Sequence, residues 1–189
     1  MSAAVMHPDG STGADRFEQA RVWRRRWAQD AALLGSIGAI AATDGLALGS
    51  LPPWLALPQA ERVGFAVLTG AVLRSRRLRR TVDGSVLAAV SAVIGEDRLD
   101  GVIALPRRLA EPPPLRWSAD PVAQLHALGG EVLVRAFDGP ETVRQRLAGW
   151  FPPSDRLARA DRRALQRIGT DAWMLWEGHP PVRSPEASR

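Results

Sequence analysis

Apolar residues recur along this chain at three- and four-residue steps, the spacing that lays side chains along one face of an α-helix. Phe17, Ala20, Trp23, Trp27, Ala31 and Leu34 make the first such stripe, and Arg25 and Arg26 fall away from it. A denser stretch follows Pro58, where Val63, Gly64, Phe65, Val67, Leu68, Ala71 and Val72 cover more than half of a helical circumference, with Ala66 and Leu73 on the other side. A helix apolar on most faces is packed by neighbours on most faces, so this one is predicted to be central. Val86, Leu87, Val90, Val93 and Ile94 form a narrower arc, and Leu99, Val102 and Ile103 a shorter one. Further on, Val122, Leu125, Val132, Leu133, Ala136 and Phe137 share a face, as do Val143, Leu147 and Trp150. In the last stripe Leu157, Ala164, Ile168, Ala172 and Leu175 stand opposite Arg159, Arg162, Arg163 and Arg167. No convincing alternating pattern of a strand occurs, and the chain is predicted to be all-α, a single irregular helical domain of about six to eight helices.

The residues between the stripes supply starts and stops. Pro58 suits the first turn of a helix and Glu61 the positive end of its dipole. Arg74, Arg76, Arg77, Arg79 and Arg80 occupy the far end of that helix, where positive charge complements the dipole. Asp83-Gly84 turns the chain, and Asp83 or Ser85 caps the next helix. Gly95 fits the left-handed position that ends it. Glu96, Asp97 and Asp100 open a short helix that Pro106 closes. Asp120-Pro121 starts another, with Gly129-Gly130 as its weak point or kink. Gly139-Pro140 starts the next, and Ser154, after Pro152-Pro153, is expected to cap a long final helix. Over residues 35–57, Asp44-Gly45 and Pro52-Pro53 predict a short helix, a turn and an irregular approach to Pro58, with Trp54 plugging the core. The domain is therefore placed at 14–177, between loose tails at 1–13 and 178–189. Pro112-Pro113-Pro114 stiffens a connector over 107–118.

Composition removes several kinds of chemistry. The 189 residues suffice for one domain with a real core, and the 46% apolar and 24% charged content suits a folded globular chain. All 25 basic residues are arginine, and Cys and Tyr are absent. Without Lys there is no lysine Schiff base, lysine general base or Lys-bearing phosphate loop. Without Cys there is no disulfide framework, thiol nucleophile or thiolate metal site. The net charge of +5 admits nucleic acid, an anionic membrane or an acidic protein as partner. Ala31 to Thr43 follows Arg24, Arg25 and Arg26 in the manner of an export signal, but Asp30 intervenes and the run is rich in Gly and Ala. A cytoplasmic location is expected.

Candidate chemistry is sparse. Of the three histidines, His7 and His179 lie in the tails, and His126 lies on an apolar helical face, where packing accounts for it better than catalysis. No Ser or Asp spacing near it suggests a triad, so no catalytic residue and no enzymatic activity are assigned; an orphan pocket around His126 is the one opening for an enzyme. Glu96 and Asp100 share a face and could gather a hard cation, but carboxylates favour a first helical turn anyway; no metal or cofactor is assigned. The sharpest feature is the run Arg74, Arg76, Arg77, Arg79 and Arg80, suited to bidentate pairing with phosphate or carboxylate. A helix-turn-helix reading fails because the recognition helix, from Ser85 to Ile94, offers base edges only Ser85 and Ser91. Non-specific binding to nucleic-acid phosphates is the remaining alternative, that of a small basic nucleic-acid-binding or regulatory helical protein. The basic face of the final helix could lie on a membrane, but its narrow stripe matches packing on the domain better. The candidate partner-binding residues are thus the five arginines together with Glu96, Asp97 and Asp100.

The arrangement LPPWLALPQAERVGFAVL, the arginine-rich helix end, TVDGSVLAAVSAVIGEDRLDGVI and the late RRALQRIGTDAW resembles the cytosolic accessory protein of bacterial type III secretion, the SctK/YscK/OrgA group. The points of likeness are Leu57-Pro58, Asp83-Gly84, Gly95-Glu96 and Arg167-Ile168-Gly169, within a span from Leu51 to Trp176. The resemblance implies a helical, non-enzymatic adaptor of the sorting platform. It would join the cytosolic domain of the inner-membrane ring protein to the pod protein beneath, and would reach the membrane only through those partners. In the dense apolar stretch and the arc after it, Val72→Asp or Val90→Asp is expected to unfold the domain, because an unpaired charge in an apolar interior costs several kcal/mol, roughly; loss of helical circular dichroism checks this.

Overall fold

A computed structural model describes residues 51–105, 117–154, 157 and 161–178. Seven α-helices occur among them: α1 (Gln59–Leu73), α2 (Ser75–Arg79), α3 (Gly84–Ile94), α4 (Glu96–Ala104), α5 (Pro121–Ala136), α6 (Glu141–Ala148) and α7 (Arg162–Trp176), preceded by a 3-10 turn at Pro53–Ala56. No strand occurs among the described residues, and the fold is all-α, with a helix number inside the range read from the sequence. No helix among these residues is long and apolar enough to cross a membrane. The tails at 1–13 and 179–189, the stripe over 17–34, residues 35–50, Pro106, Arg159 and the connector as far as 116 lie outside the described residues.

The chain divides into two compact units, Met1–Arg62 and Val63–Arg189, and the division falls inside α1. In the first, the 3-10 turn is closed by Leu55 N donating to Pro52 O (3.1 Å) and Leu57 N donating to Trp54 O (3.2 Å). Trp54 is buried, as are Leu51, Leu55, Ala56 and Leu57. Pro58 stands just ahead of α1 and its carbonyl accepts from Arg62 N at 2.9 Å, the first bond of the helical ladder.

In the second unit, short polar side chains start two of the helices by taking up amide donors that the first turn leaves unpaired. Asp83 caps α3, accepting from Ser85 N (2.9 Å) and Ser85 Oγ (2.6 Å). Asp120 caps α5, accepting from Ala123 N at 2.9 Å, with Pro121 as the first helical residue. Gly95 ends α3 and begins α4 with φ 90° and ψ 151°. This is positive φ as expected, but with an extended ψ that is essentially reserved to glycine, so one residue serves both helix ends.

Packing centres on α5, which lies against α3, α6 and α7, while α4 lies against α2, α3 and α7. Phe65 of α1 meets the edges of Trp173 and Trp176 of α7 with centroids 5.6 and 5.8 Å away. The closest approach is backbone to backbone. A Cβ built on Gly129 of α5 would overlap the carbonyl of Ala66 of α1, and one built on Gly70 would overlap the carbonyl of Leu125. The expected weak point at Gly129-Gly130 is therefore a crossing point, and the helix assignment runs through it without interruption.

Two expected boundaries are corrected. The arginine run does not sit on the last turn of α1; that helix ends at Leu73, Arg74 (φ −102°, ψ 19°) leaves the helical region, and a separate five-residue helix, α2, carries Arg76, Arg77 and Arg79. Ser154 does not cap the last helix, which begins at Arg162 after Asp161. Leu157 is buried outside any helix, and its backbone is satisfied by α5. Its N–H donates to Glu131 Oε2 (3.4 Å) and its carbonyl accepts from Arg135 Nη1. Glu131 and Arg135 also pair with each other at 3.3 Å. A side-chain clamp thus supplies what an added helical turn would otherwise have supplied.

Gly129→Ala is expected to destabilise the protein by at least about 2 kcal/mol, since a methyl group cannot be fitted against backbone. Gly169→Ala, in the middle of α7 with open space around its Cβ position, should instead add about 0.4–1 kcal/mol. Urea midpoints followed by tryptophan fluorescence distinguish the two signs.

Candidate functional site

The arginines predicted as one exposed run have different fates. Arg74 is buried, at 2% exposure. Arg77 is half-buried with its guanidinium 5.0 Å from the centroid of Trp117. The Trp117 indole N–H donates to Thr81 Oγ1 (3.1 Å), and Thr81 Oγ1 donates to Arg77 O (2.9 Å), so this end of α2 anchors the chain where it emerges from the proline-rich connector. Arg79 is exposed yet donates to Leu105 O at the end of α4. Arg76 and Arg80 are exposed.

Glu96 and Asp97 are exposed in the first turn of α4, and Asp100 is exposed on the turn after it. Because α2 packs on α4, the two charged features predicted separately lie on neighbouring helices. Acid stands at the N-terminus of α4 and an arginine at the carbonyl beyond its C-terminus, the arrangement that compensates a helix dipole. No group of three or more His, Asp or Glu placed to hold a metal occurs among the described residues.

His126 is half-buried on α5, its ring set edge-on to Phe151 with centroids 6.1 Å apart. Its Nε2 has no hydrogen-bond partner. Burial holds its pKa below the ordinary 6.5, because the protonated ring loses more hydration than the neutral one. Asp83 is also shifted down, by the hydrogen bonds from the Ser85 hydroxyl and amide.

A further site was missed by reading along the sequence. An open groove of about 510 Å³ lies between α5, α6 and α7. Arg135, Arg144 and Arg162, one from each helix, line it together with Val134, Glu141, Gln145, Ala148 and the buried Leu165. Arg144 holds Glu141 Oε2 through Nε (3.0 Å) and Nη2 (2.6 Å), and Arg162 holds Asp138 at 2.9 Å. Arg162 alone carried a signal, as part of the basic face of the last helix. The other arginines are far apart in sequence and share no local motif with it. Known protein-family models, curated proteins and solved structures yield no match to this chain.

The depressed His126 pKa has a sign in stability. The unfolded chain takes up the proton more readily than the folded one, so the full stability holds above about pH 6.5 and falls as the pH drops through that value toward the folded pKa. The urea midpoint of the wild type should therefore drop between about pH 7.5 and about pH 5.5 by more than that of His126→Gln.

Proposed function

We propose that this protein is a non-enzymatic cytosolic adaptor of a bacterial type III secretion system, linking the cytosolic domain of the inner-membrane ring protein to the pod protein of the sorting platform. It would be peripheral to the inner membrane through those partners. The observation that carries the reading is the opposed charge on α4 and its neighbour α2. Glu96, Asp97 and Asp100 are exposed on the helix, and Arg76 and Arg80 are exposed on the element packed against it. Two surfaces of opposite sign on one packed unit suit a protein that must hold two others. The residues of the resemblance add support, since Asp83-Gly84 and Gly95-Glu96 are helix junctions around α3.

A protein partner is favoured over nucleic acid by the fate of the arginine run. With Arg74 buried, Arg77 on Trp117 and Arg79 on Leu105 O, Arg76 and Arg80 are the least committed arginines of the run, a small set beside the six to ten or so phosphate contacts of a strong nucleic-acid binder. In pull-downs with the purified ring domain and pod protein, the wild type is expected to retain both. Arg76→Glu with Arg80→Glu should lose one partner, and Glu96→Lys with Asp100→Lys the other, with Arg77 left in place to hold Trp117. Binding of neither partner by the wild type, or an electrophoretic shift of DNA that disappears with rising salt, would sink the adaptor reading.

A further inference from the structure

The groove between α5, α6 and α7 is lined by no residue of α4. Its volume of about 510 Å³ lies within the roughly 300–1,000 Å³ of ordinary ligand sites. Arginines reach it from three helices, so their relative positions are set by helix packing rather than by a loop. Their present partners are of two kinds. Arg135 is committed to the clamp, since it pairs with Glu131, whose side chain is only 14% exposed, and donates to Leu157 O. Arg144 and Arg162 pair instead with Glu141 and Asp138, whose side chains are 63% and 75% exposed.

Exposed pairs of that kind contribute little to stability, so a carboxylate arriving from outside can replace Glu141 or Asp138 at little cost. A guanidinium has five N–H donors, and these two arginines keep some of theirs free: Arg162 uses only Nη1, and Arg144 only Nε and Nη2. Gln145, exposed on the same wall, adds an amide that can both donate and accept. Val134, half-buried, and Ala148, exposed, add apolar surface that suits aliphatic side chains.

We propose that this groove binds a short acidic segment of a partner protein, with its carboxylates on Arg144 and Arg162 and its aliphatic side chains on Val134 and Ala148. The exposed carboxylates now paired with those arginines occupy the positions that the segment's own carboxylates take. Free and occupied states thus differ by an exchange of like groups. The free protein never leaves bare cations facing each other across the groove.

The test is a selection of phage-displayed random dodecapeptides on the immobilised full chain, which contains no secretion component and so stands or falls apart from the adaptor reading. Peptides with Asp or Glu clustered beside Leu, Ile or Val are expected to be enriched. By fluorescence anisotropy, their affinity should fall about tenfold or more on Arg144→Ala with Arg162→Ala, the usual loss when a charge-assisted hydrogen bond is removed. Arg144→Lys with Arg162→Lys keeps the charge without the fork and should fall between; it carries the test if the alanine variant loses its helical circular dichroism. Arg167→Ala, off the groove, should bind as the wild type does. Enrichment of peptides without acidic clusters, no enrichment at all, or acidic peptides that bind the alanine variant as tightly as the wild type would overturn the proposal. So would a single-stranded oligonucleotide whose binding, rather than the peptides', is lost in that variant.

Discussion

Where α5 crosses α1, Gly129 stands against the carbonyl of Ala66 and Gly70 against that of Leu125, so that the two helices meet backbone to backbone. Side chains elsewhere can adjust by a rotamer, whereas two backbones in contact cannot, and interiors packed this densely transmit such a constraint to their neighbours. The position of α5 then sets much of what surrounds it. Gly130 leaves room for the side chain of Phe151, where a Cβ would collide. Glu131 and Arg135 reach Leu157 and hold its N–H and carbonyl. Arg135 also lines the groove, so a surface feature takes its geometry from a glycine contact in the interior.

The same reasoning changes what the arginines mean. A guanidinium offers five donors in a flat fork, and in a chain without lysine it is the only cation available to meet stray carbonyls. Arg98 donates to Ile94 O at the end of α3 and to Trp176 O at the end of α7, and its guanidinium lies 4.3 Å from the Trp176 ring centroid. Arg79 does the like for Leu105 O, and Arg135 for Leu157 O. Carbonyls at helix ends have no partner within their own helix. Part of the positive charge is therefore spent on joining one helix to another, and the density of arginine in a stretch of sequence is a poor measure of the field it presents outside.

Local features were legible from sequence and non-local ones were not, for a physical reason. Asp83 caps α3 and Asp120 caps α5 through amides two and three residues on, so the information needed lies within one turn. The apolar arcs around Leu125 and Ile168 were legible likewise, because helical period decides which side is buried; in the arc around Val90, Val86, Val90 and Ile94 are buried but Val93 is exposed. Gly129 looked like a flaw because propensity counts only what a glycine costs its own helix, and its benefit depends on Ala66, a residue remote in the chain. Ser154 has the right chemistry for a cap, but the backbone beyond it is held at Leu157 by α5 rather than by its own ladder. The groove escaped notice since Arg135, Arg144 and Arg162 converge only when three helices are packed.

Stiffness connects these features to the proposed adaptor. A protein that holds two partners at a fixed separation needs its contact surfaces joined by packing that has one arrangement rather than several, since interfaces with alternative packings are those that switch. The charged ends of α4 and the groove are joined by such a route: α4 packs on α3 and α7, and both of these pack on α5. At its centre is a backbone crossing with no side chain to re-pack. Sliding α5 along α1 by a full turn would bring Leu125 or Leu133 to the place of Gly129, where even a Cβ meets the Ala66 carbonyl, so the crossing resists a change of register. The fold thus favours a spacer over a hinge, and the chemistry of recognition is left to exposed charge on helices whose positions the interior has already determined.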